Sequence, residues 1–175
     1  MASVFSIIVA MTRNQVIGKN NDLPWGRAMK SDLRRFKKMT QGNIVIMGHN
    51  TYTSLPISSN GMKLPGRRKI VLTRSSIRMP HGDIADVAPC FEHALSLCEH
   101  EKGKVFIIGG SQVFSTALND RRVKRMYVTY VDAPHLDGDV FFPDFTNGGW
   151  GMRYKETVES DEDKYHSDFV VYERA

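Results

Sequence analysis

In the stretch VIGKNNDLPWGRAMKSDLRRF, residues 16–36, one carboxylate is hard to place. No other Asp or Glu follows Asp32 until Asp83. At helical spacing Asp32 shares a side with Met29, Leu33 and Phe36, which is the apolar side. A carboxylate buried there costs several kcal/mol unless donors meet it. It either receives the N–H groups of a ligand or serves the fold, capping its helix or pairing with a neighbour such as Arg35. A second set of residues suits phosphate. Gly48 precedes one short helical pattern, Gly109–Gly110–Ser111 precedes another, and Thr73–Arg74 adds a hydroxyl and a fork of donors. Helix N-termini with bare N–H groups attract anions. Each group alone is also an ordinary turn; three at one sheet edge suit a dinucleotide.

Other chemistries find no support. The sequence has no G-x-G-x-x-G after a strand, no Walker A sequence, no G-x-S-x-G and no H-E-x-x-H. Six scattered histidines give no metal-ligand spacing, so no metal is expected.

The elements that must position these residues are legible as runs. Phe5–Ala10, Asn43–Met47, Lys69–Thr73, Lys104–Ile108, Met126–Val131 and Phe169–Tyr172 read as strands covered on both faces. Helical patterns lie over Ala28–Met39, Asn50–Leu55, Cys90–His100 and Gln112–Leu118, with loops at Asn20–Gly26, Pro56–Gly66, Arg78–Gly82 and Asn147–Gly149. Alternating strands and helices predict an α/β fold: one domain over 1–175, a three-layer sandwich around a central, mostly parallel sheet of about eight strands, antiparallel at the C-terminal edge. Ligands of such sheets lie beyond the carboxyl ends of the strands, where the residues suited to phosphate fall.

Composition sets limits. A hydrophobic fraction of 41% and a charged fraction of 25% are ordinary for a globular protein. No apolar run reaches the roughly 18–20 residues of a membrane span, and VFSIIVAM lacks the flanks of a secretory leader. Cys90 and Cys98, about two helical turns apart, are too distant to bridge, which fits a reducing cytoplasm. The net charge of +5 is uneven: residues 33–82 carry ten Lys or Arg and no acid, whereas residues 83–175 carry ten basic and seventeen acidic residues. The basic half is either a set of solvated faces, a nucleic-acid surface, or a cleft for small polyanions.

The segments SIIVAM, VIGKNNDLPW, SDLRRFKKMT, VIMGHNTYTSL, LPGR, IVLTRS, VFIIGGSQVF, MYVTYVD, GDVFFPD and HSDFVVYER, in this order, resemble the dihydrofolate reductase family over nearly the whole chain. The resemblance implies reduction of 7,8-dihydrofolate to tetrahydrofolate by hydride transfer from NADPH, with folate analogues as further ligands and neither nucleic acid nor membrane as a partner; a monomer is expected because no long apolar face is left unexplained. It implies that Asp32 holds the pterin ring with help from Thr129, and that Leu23 and Trp25 belong to a mobile loop over Thr12–Arg27 that closes the catalytic site. Folate would meet Ile8, Val9, Leu33, Phe36, Leu55, Ile108 and Phe114, with Arg67 gripping its glutamate carboxylate. The cofactor would meet Ala10, Ile17, Gly18, Asn21, Gly48, His49, Asn50, Thr51, Leu72, Ile108, Gly109, Gly110, Ser111, Gln112 and Val113, with Thr73 and Arg74 on its 2′-phosphate. A cis Gly109–Gly110 peptide and a bracing loop at Gly138–Asp139 are also implied.

Four positions depart from the family pattern: His49 for Arg or Lys, Gln112 for Arg in some relatives, Tyr52 for Trp, and a longer loop at Ile57–Lys63. Preference for NADPH over NADH therefore leans on Arg74. A pyrimidine reductase of riboflavin synthesis is the alternative within this fold, and LPW, Asp32 and LPGR speak against it.

Overall fold

The apolar runs become the strands of one mixed sheet in a computed structural model, which describes residues 3–175. In chain order the strands are β1 (Val4–Thr12), β2 (Val16–Gly18), β3 (Ile44–Gly48), β4 (Arg68–Leu72), β5 (Asp86–Ala88), β6 (Lys104–Gly109), β7 (Val123–Val131), β8 (Val140–Phe141), β9 (Gly151–Val158) and β10 (Ser167–Glu173). The helices are α1 (Lys30–Thr40), α2 (His49–Ser54), α3 (Phe91–Leu97) and α4 (Ser111–Leu118). Eight strands lie in the order β5-β4-β3-β6-β1-β7-β10-β9, while β2 and β8 form a separate ribbon. The pairings from β5 to β7 are parallel; β10 is antiparallel to both β7 and β9.

Alternation along the strands fixes which face each residue serves. Phe5, Ile7, Val9 and Met11 of β1 join Ile44, Ile46, Val105, Ile107 and Val128 in a core closed by Phe91, Leu95, Phe114 and Leu118 of α3 and α4. Val45, Met47, Val71 and Phe106 face the other way, against Tyr52 of α2 and Met39 of α1, with Ile8, Ile108 and Leu55 beside them. Burying each such side chain is worth about 1.5–3 kcal/mol. A one-residue slip would exchange the two faces, so register is strongly fixed. This register brings Ala10 opposite Thr129, and aligns Met47 with Gly109 and Gly48 with Leu72, so the candidate residues share one sheet edge.

The boundaries depart from expectation where distant groups intervene. The spacing predicts a helix from Ala28, and α1 begins at Lys30. The first N–H groups of a helix lack partners, and here Asp163 supplies the acceptors: Ser31 donates its backbone N–H at 2.9 Å and its hydroxyl to that carboxylate. Lys164 N–H donates to the Ala28 carbonyl at 3.0 Å, tying the β9–β10 loop to the helix entrance. The third predicted helix is shorter, Phe91–Leu97, with Cys98 buried at its end and Cys90 exposed, both free thiols. Strands β5 and β9 were not expected: one has three residues, and the other is a mostly exposed edge.

Candidate functional site

Asp32 sits on the first turn of α1, facing the carboxyl half of β7, with only 17% of its side chain exposed. The Thr129 hydroxyl donates to Asp32 Oδ1 at 2.6 Å, and the Arg35 guanidinium stands 3.6 Å from the same oxygen. The neighbouring cation that the sequence offered as an alternative partner is therefore present, at a distance beyond a hydrogen bond. Burial pushes its pKa above the ordinary carboxyl value, and the Thr129 hydrogen bond and the Arg35 charge pull it back. With Oδ1 engaged by Thr129, Oδ2 is free to accept N–H donors of a ligand.

The walls of this pocket follow from the elements around it. Ile8, Ile108 and Leu55 are partly buried on the α1–α2 face of the sheet, and Leu33 and Phe36 are half-buried on α1. Val9 and Phe114, expected to meet folate, instead project into the opposite core on the far side of the sheet from these walls, where the Phe114 ring closes against Gly109. Arg67, which a plain surface turn would leave solvated, is buried: Nη1 donates to the Thr40 hydroxyl at 3.3 Å and Nε to the Pro65 carbonyl at 3.2 Å. Such a pre-set guanidinium suits a bidentate grip on a carboxylate.

The second group lies along the carboxyl ends of β3, β4 and β6. A Cβ at Gly109 or Gly110 would lie 3.4 or 3.5 Å from the Thr51 hydroxyl, and one at Gly48 would lie 3.3 Å from Val113. These glycines therefore keep a strip of bare backbone open between α2 and α4. The Gly109–Gly110 peptide is cis. Among the described residues no side chain caps the first turn of α4, leaving the N–H groups at Ser111 and Gln112 for a ligand. His49, Asn50 and Gln112 are exposed, and Leu72, Thr73 and Arg74 follow on at the end of β4. Thr73 Oγ accepts the Ser75 N–H at 3.2 Å, which folds the turn and brings the Ser75 hydroxyl beside it. This donor set fits the phosphates of a dinucleotide.

The loop between β1 and α1 forms the roof. Trp25 is buried with Met29, Val131 and Ala133, and Leu23 and Ala10 pack beside them. Asn20, Asn21 and Gly26 take left-handed backbone conformations, while Ile17 packs on the main core. Gly138 admits no side chain: its Cβ would lie 2.3 Å from Val16 and 2.4 Å from the Gly18 carbonyl. The Asp139 N–H donates to Gly18 O at 3.0 Å, and its carboxylate accepts the Asn20 N–H at 3.2 Å. The expected brace at Gly138–Asp139 is thus in contact with the loop.

Behind α2 lies a buried polar cluster that no sequence signal announces. Lys69 Nζ and the Asp83 carboxylate pair at 2.5 Å with both side chains fully out of solvent. The Tyr52 hydroxyl also donates to Asp83 at 2.5 Å, and the Lys63 N–H at 3.2 Å. Lys63 Nζ donates to the Tyr52 carbonyl at 2.6 Å. The acid-free stretch is consequently no continuous basic surface. Lys63, Arg67 and Lys69 are buried, Arg34 and Arg68 pair with Glu162, Asp86 and Glu101, and Arg35 serves Asp32.

Comparison with known proteins agrees with this geometry. The profile of the family described as dihydrofolate reductase matches residues 4–174. Dihydrofolate reductase type 3 from Salmonella typhimurium is 38% identical over 175 residues, covering 98% of each chain. Dihydrofolate reductase from Staphylococcus haemolyticus is 36% identical, covering 97% of this chain and 95% of its own. The structure of dihydrofolate reductase from Enterococcus faecalis complexed with NADP(H) and RAB-propyl superposes with a TM-score of 0.81 at 26% identity, covering 99% of both chains.

Proposed function

The chain belongs to the dihydrofolate reductase family, and from that premise we propose which residues carry its reaction. The protein reduces 7,8-dihydrofolate to 5,6,7,8-tetrahydrofolate with NADPH. The site reading rests on one observation above all: a buried carboxylate, Asp32, held by Thr129 with one oxygen left for a ligand.

In this reading the anionic Asp32 accepts hydrogen bonds from the pterin 2-amino group and the adjacent ring N–H. That gives the buried charge the donors it otherwise lacks. Ile8, Leu33, Phe36, Leu55 and Ile108 shape the apolar slot, Val9 and Phe114 support the sheet from its other face, and Arg67 takes the glutamate α-carboxylate. Gly48, His49, Asn50, Thr51, Gly109, Gly110, Ser111, Gln112 and Val113 would hold the pyrophosphate of NADPH. Leu72, Thr73 and Arg74 would hold the 2′-phosphate, and Ala10, Ile17, Gly18, Asn21 and Ile108 the nicotinamide half. NADPH, when bound, supplies the hydride for pterin C6. The protein's share is to hold the two rings face to face and shut out bulk water beneath Leu23 and Trp25. The proton at N5 comes from a water admitted beside the ring, and the Asp32 charge favours the protonated ring.

The chain acts as one domain over 1–175, as a monomer in the cytoplasm, where Cys90 and Cys98 stay reduced. Among the described residues no helix is long and apolar enough to cross a membrane.

The test is NADPH oxidation with dihydrofolate for wild type and Asp32→Asn, with NADH in parallel. Two hydrogen bonds to a charged acceptor, at about 1.5–3 kcal/mol each, predict at least a roughly hundredfold loss of kcat/KM at neutral pH in the variant. Turnover undiminished in Asp32→Asn would sink the assignment, and equal rates with NADH would remove Arg74 from its role.

A further inference from the structure

Arg35 is the unexplained group beside this site. Its Cζ lies 4.2 Å over the Phe169 ring, and its Nη1 is 3.6 Å from Asp32 Oδ1. That nitrogen is shut off from solvent and finds no hydrogen-bond partner among the described residues. A buried guanidinium nitrogen left without an acceptor is costly, and 3.6 Å is too long for a hydrogen bond to the carboxylate. The arrangement keeps the charge close while leaving the Asp32 oxygens to Thr129 and to ligand donors.

We propose that Arg35 is a positioning residue for the reaction: stacked on Phe169, it holds Asp32 as an anion without occupying the oxygen that receives the pterin. The proposal rests on the reading of Asp32 given above. The groups facing the carboxylate from each packed element are few. From α1 there is Arg35, itself stacked on the Phe169 ring of β10, from β7 the neutral Thr129 hydroxyl, and from the β9–β10 loop Asp163, whose negative charge acts in the opposite sense. Arg34, next on the helix, is exposed and engaged by Glu162. Arg35 is thus the one cation acting on Asp32 among the described residues, set against desolvation and Asp163. A cation at this distance disfavours any added proton on the pair formed by Asp32 and the ring above it. Its removal therefore moves both limbs of the pH profile upward: the acid limb of kcat/KM, which reports Asp32 in the free enzyme, and the alkaline limb of kcat, which reports the bound complex.

The experiment uses three proteins: wild type, Arg35→Met, which keeps a long apolar stem over Phe169, and Arg35→Lys, which keeps the charge. Arg35→Gln is a second neutral variant should the methionine protein fail to fold. For each, the pH profile of NADPH-dependent dihydrofolate reduction is recorded. The Asp32 carboxyl is titrated directly in the free protein by 13C NMR of labelled aspartate, with the signal assigned through Asp32→Asn. The neutral variants are expected to shift both the NMR midpoint and the acid limb upward by about one pH unit or more, and Arg35→Lys to restore most of the wild-type value. Midpoints within a few tenths of a unit in a folded neutral variant overturn the proposal. So does an equal shift in Arg35→Lys, which would assign the effect to shape. Should wild type fail to reduce dihydrofolate, the functional reading falls, while the NMR titration still decides whether Arg35 holds Asp32 ionised.

Discussion

Replacing Asp83 by asparagine removes one charge from a pair that water does not reach. Lys69 would lose its nearest counter-charge, because Asp83 is its only ion-pair partner among the described residues. Breaking a buried pair from one side costs about 3–5 kcal/mol, against a total stability of about 5–15 kcal/mol for a domain. At roughly 2–4 °C per kcal/mol for a chain of this size, the midpoint of melting should fall by roughly 6–20 °C. The effect carries a pH signature. Burial alone would raise the Asp83 pKa, but the hydrogen bonds from Lys69, Tyr52 and the Lys63 N–H outweigh it and leave it below the ordinary value. A carboxyl lowered in the fold contributes stability above its unfolded pKa and loses it as pH falls through the folded one. The gap between wild type and variant is therefore full at neutral pH and closes below about pH 4. Urea denaturation across that range measures the gap, and KM for NADPH should rise as well, because Tyr52 anchors α2 beside the backbone strip proposed to hold the pyrophosphate. A double variant, Asp83→Asn with Lys69→Met, should recover much of the loss. An Asp83→Asn protein within about 1 kcal/mol of wild type at pH 7, or a pH-independent gap, would refute the reasoning.

Two further outcomes follow from the same geometry. On the proposed role of Arg67, Arg67→Leu removes hydrogen bonds to a charged tail worth about 1.5–3 kcal/mol, so KM for dihydrofolate should rise roughly ten- to a hundredfold with kcat nearly unchanged, as steady-state kinetics would show. Asp163→Asn weakens the acceptor that opens α1, costing about 1 kcal/mol in urea denaturation; because Asp163 raises the Asp32 pKa, the 13C midpoint of Asp32 should move down, opposite in sign to the Arg35 variants.

What the sequence made legible and what it hid divide on physical lines. The strands buried on both faces, such as Ile44–Gly48 and Lys104–Gly109, show as apolar runs because each residue packs against something. β9 does not show, because an edge strand reading GMRYKETV faces solvent on most positions. Asp32 stood out because an isolated acid on an apolar helix side needs a reason, and Gly109–Gly110 because a bare backbone needs glycine. Thr129 came only from the family resemblance, and Arg35 only as an alternative partner. Asp163 and Asp83 could not be found, since each works through partners far along the chain, and nothing in DEDKY or HGDIA marks such a role. The Pro56–Gly66 stretch was legible as a loop, but not as the backbone that delivers the buried Lys63 to Tyr52.

The cap on α1 also sets a timetable for the nascent chain. Ser31 and Asp163 lie 132 positions apart, and Thr129 reaches Asp32 across 97. At a synthesis rate of about 5–20 residues per second, the helix bearing Asp32 spends roughly ten seconds on the ribosome before either partner emerges. The pocket is then one of the last parts of the molecule to assemble, and its formation waits on distant segments meeting, the slow kind of step in folding. During that interval the apolar side of α1 and the unpaired edge of β1 are open to chaperones and to neighbouring chains.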